Sequence, residues 1–169
     1  MKIDDLIRRR VEAALLDRDG SCRDINFSEF ILTSRAIDVL EFLASSWTYV
    51  QAMTGEGYEI ASAELQSNLQ LASGSLSTIW NGGRNPKHLQ AYFHWNEPDK
   101  VFCEITFFPK DIDSGTFKLM EFLSMLGKLV SVAGSDEYYL PYEDASWRRG
   151  QQKNDAVILS DKVLLLSPA

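Results

Sequence analysis

Side chains able to do acid–base chemistry come together in residues 89–109, where Tyr92, His94 and Glu104 fall on one predicted face of a strand pair. A carboxylate that orients an imidazole can make it a general base, so His94 with Glu104 is the catalytic pair this chain offers. Aromatic and charged residues also decorate the outer faces of ordinary sheets, and that plainer reading is adopted. His88 and His94 are six residues apart. On a strand that spacing leaves them on one side but roughly 20 Å apart at about 3.3 Å per residue, too far to share an ion. The chain has neither H-x-x-x-H nor C-x-x-C spacing, so no metal is expected. Cys22 has no histidine near it in sequence to activate a thiolate. Gly55-Glu56-Gly57 lacks the leading strand and the Gly-Lys-Ser/Thr of a phosphate loop, and it reads as a helix terminator. No G-x-S-x-G elbow is present, and no cofactor is expected.

Recognition chemistry is better represented. Residues 136–149, DEYYLPYEDASWRR, interleave three tyrosines and a tryptophan with Asp136, Glu137, Glu143 and Asp144. Aromatics supply contact area and carboxylates match arginine or lysine on a partner. The structural alternative is an edge strand that buries Tyr138, Leu140 and Tyr142 together.

These residues need elements to position them. Leu89, Ala91, Phe93 and Trp95 alternate with Gln90, Tyr92 and His94, and Val101, Cys103, Ile105 and Phe107 alternate with Phe102, Glu104, Thr106 and Phe108. A period of two predicts two half-buried strands. A five-residue loop, residues 96–100, sets Trp95 opposite Val101 and Phe93 opposite Cys103. Both apolar faces then coincide, whereas a four-residue loop would oppose unlike faces. Tyr92 falls opposite Glu104, and His94 opposite Phe102.

Around this hairpin the spacing predicts a helix over about 3–18, with Ile3, Leu6, Ile7, Val11, Ala14 and Leu15 on one stripe and Arg8, Arg9 and Arg10 on a solvated face. Residues 21–33 carry no assignable pattern. Thr33 or Ser34 is expected to cap a second helix ending near Met53, with Ala36, Leu40, Leu43, Trp47 and Val50 as its apolar face. A short third helix is expected over about 60–72 and a strand over 76–80. Asp111, Asp113 or Ser114 is expected to cap a long, mostly buried helix over about 115–132, ended by Gly134. Residues 137–143 and 156–159 read as strands, with Pro141 placing the first at an edge or breaking it, and 163–166 as a possible return strand. The predicted fold is α+β: an antiparallel sheet of about five strands, with N-terminal helices and one long buried helix packed on it.

At 169 residues and 45% apolar content the chain suits a single domain, 1–169, able to bury a core without disulfides. A formal charge of −7 disfavours binding to a phosphate backbone and favours a basic protein partner. Residues 19–82 carry eight carboxylates against Arg23 and Arg35 alone. Two cysteines without paired spacing, a charged rather than apolar N-terminus and no apolar run of membrane length lead to the expectation of a reduced, cytoplasmic protein.

The run SLSTIWNGGRNPKHLQAYFHWNEPDKVFCEITFFP, the apolar helix FKLMEFLSMLGKLV, then DEYYLPYEDASWRRG and DAVILS resemble the small bacterial immunity proteins of polymorphic toxin systems, including contact-dependent inhibition and type VI secretion. The resemblance covers roughly residues 75–160 and lies in the order of elements. It implies a cytoplasmic, non-catalytic protein that binds a cognate toxin domain, and it assigns no contact residue. From the charge pattern, the candidate partner contacts are Glu56, Glu59, Asp111, Asp113, Asp136, Glu137, Glu143, Asp144 and Trp147. They would meet a toxin with a basic surface, with neither nucleic acid nor membrane as partner. Two alternatives accompany this reading: an acidic secretion chaperone that holds an effector segment, and a small enzyme using His94 and Glu104.

Overall fold

A computed structural model of the chain describes residues 5–27, 29–141 and 157–160. Helix α1 (Asp5–Leu16) leads into strand β1 (Arg23–Phe27), and helix α2 (Thr33–Ser46) into β2 (Thr48–Thr54) and β3 (Glu59–Ile60). A 3-10 turn (Ser62–Glu64) and helix α3 (Leu65–Leu69) precede the meander β4 (Gly74–Asn81), β5 (His88–Glu97) and β6 (Lys100–Phe107). After a second 3-10 turn (Pro109–Asp111) come helix α4 (Leu119–Ala133), β7 (Tyr138–Pro141) and β8 (Val157–Ser160).

The α+β class is as expected, but the sheet has eight strands in the order β3-β2-β4-β5-β6-β1-β7-β8, not about five. All described pairings are antiparallel. The unassigned stretch supplies β1, which slots between β6 and β7. Its alternation is disguised because Arg23 occupies a core-side position beside Ile25 and Phe27 and is fully buried. Two of its nitrogens donate to the Ala14 carbonyl at 3.0 and 3.2 Å, and one to the Asp19 carboxylate at 3.3 Å. Arginine thus satisfies the end of α1 while lying in the core.

The second helix stops at Ser46 rather than near Met53. Trp47 turns extended and is anchored by its indole N–H to the Pro86 carbonyl at 2.8 Å, and β-branched and aromatic Thr48, Tyr49 and Val50 start β2. Trp47 and Val50 continue a helical stripe by coincidence of spacing. Neither Thr33 nor Ser34 caps α2, because the N-cap position is Leu32. The predicted third helix divides into the 3-10 turn and five-residue α3.

The central register is the predicted one: Trp95 faces Val101, Phe93 faces Cys103, Tyr92 faces Glu104 and His94 faces Phe102. The connection is shorter than five residues, since a bulge after Trp95 lets Glu97 pair with Lys100 and leaves Pro98 and Asp99 at the turn, Asp99 with φ of 59°. Helix α4 starts at Leu119 with Lys118 at its N-cap, later than predicted, and ends at Gly134 in the left-handed region. Asp113 instead closes the preceding turn, accepting from the Gly115 N–H and the Thr116 hydroxyl, both at 3.0 Å. β7 has a neighbour on each side, and its pairing with β8 slips between Leu140 and Pro141, the break that proline imposes. Residues 163–166 lie outside the described residues.

One face of the sheet carries the core. Leu76, Trp80, Phe93, Trp95, Ile105 and Phe107 are buried there in one cluster with residues of α2, α3 and α4, with Phe107 and Phe122 edge to face at 5.8 Å. Every described tryptophan has a partner for its N–H: Trp80 donates to Thr78 at 2.7 Å and Trp95 to the Leu71 carbonyl at 2.8 Å, as Trp47 does to Pro86.

Candidate functional site

Because side chains alternate along each strand, burying Phe93, Cys103 and Ile105 turns Tyr92, His94, Phe102, Glu104 and Thr106 to the opposite face. Register across the sheet then aligns Asn26, Glu104, Tyr92, Ser77 and Met53 in one row and Asp24, Thr106, Gln90, Ile79 and Gln51 in the next. Tyr139 of β7 extends the first row beside Asn26. Among the described residues no helix lies over this face, and Tyr92 and Phe102 remain partly exposed, their rings 6.3 Å apart.

The face has a polar centre. Asp24 accepts a hydrogen bond from the Thr106 hydroxyl at 2.6 Å. Glu104 is half-buried, and burial, reinforced by repulsion from Asp24 and eased by a hydrogen bond with Asn26, lifts its pKa to about 7. Burial and then the nearby Glu104 and Asp24 push the Tyr139 hydroxyl up as well. The groups that govern Glu104 are therefore both on β1, while His94 pairs with Phe102 and lies diagonal to the carboxylate. His88 is engaged elsewhere, its Nδ1 2.6 Å from the Asn81 side-chain oxygen. Burial raises the Cys103 thiol far above the ordinary range, an inert core cysteine.

The candidate contacts do not gather into one patch. Glu56 and Glu59 are exposed at the β3 edge. Asp136, exposed, and Glu137 precede β7, six strand steps from β3, or about 29 Å at roughly 4.8 Å per step. Glu137 is only 2% exposed, so its side chain belongs to the interior. The Asp111 carboxylate accepts from the Phe108 N–H at 3.3 Å, and Asp113 closes its own turn. Glu143, Asp144 and Trp147 lie outside the described residues. The sequence reading missed Asp24, Asn26 and Tyr139 as neighbours of Glu104. The alternation of Asp24 and Asn26 with Ile25 and Phe27 was the available signal.

These features define an α+β protein with helices on one face of an eight-stranded antiparallel sheet and an aromatic and carboxylate-bearing surface on the other. The fold is shared with a chain of the crystal structure of the toxic C-terminal tip of CdiA from Pseudomonas aeruginosa in complex with immune protein: TM-score 0.54, 17% identity, 75% of this chain and 89% of that one covered. That complex comes from the kind of toxin and immunity pair to which the sequence resemblance points. No protein-family model matches the chain, and no curated protein matches it significantly by sequence. No helix among the described residues is long and apolar enough to cross a membrane.

Proposed function

We propose that this protein is an immunity-type protein of a bacterial polymorphic toxin system, acting in the cytoplasm by binding a cognate toxin domain one-to-one, without catalysis. The observation that carries this reading is the fold held in common with a chain of a toxin-tip complex with an immune protein. The open sheet face supports it. Tyr92 and Phe102 can form a central contact, while Asp24 and Glu104 supply anionic character to pair with a basic toxin surface. Glu56, Glu59 and Asp136 sit at the margins of the sheet, where charge mainly steers encounter. Asp111, Asp113, Glu137, Glu143, Asp144 and Trp147 remain assigned to the partner surface in this proposal, with Glu137 the weakest because its side chain is buried.

The test is co-expression with the product of the gene immediately upstream. A one-to-one complex on gel filtration and restored growth are expected; neither complex nor protection would overturn the reading. In the same cells His94→Ala should protect as well as the wild type. Loss of protection with the complex intact would instead favour catalysis through His94 and Glu104.

A further inference from the structure

Away from the open face, where α4 meets the loop between β4 and β5, this acidic chain concentrates positive charge. A groove of about 590 Å³ runs between residues 83–87 and residues 116–128. Arg84, Lys87, Lys118 and Lys128 line it against the single carboxylate of Glu121, in a chain whose formal charge is −7. Lys118 and Glu121 pair at 3.3 Å, but with side chains 72% and 70% exposed the pair is screened and readily exchanged for a better anion. Arg84 is held at the rim with its guanidinium 6.0 Å from the Trp47 ring.

The two walls are fixed to each other. Asn85 donates to the Thr116 hydroxyl at 3.2 Å and accepts from the Asp113 N–H at 2.9 Å, and the Lys87 N–H donates to the Asp111 carbonyl at 2.7 Å. A ligand therefore meets a preformed groove and need not order it. The groove is not purely polar, because Met120 is half-exposed in it beside half-buried Phe117. From Lys118 to Lys128 the helical wall extends about 15 Å at 1.5 Å per residue, the reach of about five extended residues. A groove open to solvent along a wall of that length fits a strand of peptide better than a compact metabolite, which is normally enclosed on most sides.

We infer that this groove receives an acidic segment of a partner protein, about five extended residues whose carboxylates meet Arg84, Lys118 and Lys128 while an apolar side chain rests on Met120. The inference rests on reading the chain as a protein-binding protein, but not on the partner's being a toxin.

A fluorescein-labelled peptide of alternating glutamate and leucine tests it by anisotropy against the full chain, with the lysine and leucine counterpart and ATP as comparison probes. The acidic peptide should bind and the basic one should not. Its affinity for the wild type should fall on adding salt, and should fall about tenfold at low salt in the double variant K118E/K128E. Both lysines are exposed, so circular dichroism melting should match the wild type, and the double Lys→Gln variant offers a milder check. Equal binding to wild type and variant, binding of ATP without the peptide, or no binding at all would each overturn it. Failure of the upstream gene product to bind would remove the toxin reading and leave this titration standing. An inert peptide alongside a tight complex would do the reverse.

Discussion

Glu104 on β6 stands directly opposite Asn26 on β1, one rung from Asp24, so two carboxylates share the half-buried centre of a sheet face that carries no described helix. Glu104 has a folded-state pKa of about 7 against an ordinary 4.5. A raised carboxylate contributes stability that is fully present below its unfolded value and is lost as pH rises through its folded one. Urea unfolding across that window should show stability falling by about 1 kcal/mol after allowance for solvent screening. Glu104→Gln should flatten that slope.

Arg23 joins the end of α1 to the start of β1 from a fully buried position. Arg23→Leu keeps much of the volume but strips donors from the Ala14 and Cys22 carbonyls. A loss of about 3 kcal/mol is expected in urea unfolding at neutral pH.

Asp19 titrates low, at about 2, chiefly through hydrogen bonds from Ser21 and only then through Arg23. A lowered carboxylate contributes stability present above its unfolded value of 3.8 and lost as pH falls through about 2. Carboxyl NMR titration should find Asp19 moved upward more by Ser21→Ala than by Arg23→Leu.

Gly134 ends α4 at φ of 64°. A β-carbon there would approach the Arg35 side chain at 3.0 Å, a flexible neighbour, so the cost falls mainly on the backbone. Gly134→Ala should lower stability by about 1 kcal/mol in thermal or urea unfolding.

Tyr92 lies at the middle of the open face, partly exposed. Tyr92→Arg should leave unfolding stability within about 0.5 kcal/mol and weaken the complex with the upstream gene product more than about tenfold. Glu59→Lys at the sheet edge should act mainly on the association rate, and biolayer interferometry separates the two effects.

Local pattern carried a good part of the fold. Alternation in residues 89–107 fixed two strands, their pairing and the placing of Tyr92 opposite Glu104, because a one-residue slip would have exposed a whole apolar face. Gly134 and Pro141 acted where their backbone restrictions say they must. Where one stripe suited two periods, as at Trp47 and Val50, the pattern gave the wrong element, and a buried arginine hid β1.

The sequence by itself determined the α+β class, the central hairpin, the acidic balance and the outward direction of Glu104, all of which depend on neighbours close along the chain. Only the tertiary structure decided that β1 lies between β6 and β7, that Asp24, Asn26 and Tyr139 surround Glu104, and that Glu56 and Glu59 at the β3 edge stand six strands away from Asp136 before β7. Strand order is settled by pairing between distant segments, and the local period of two is the same whichever neighbour a strand acquires.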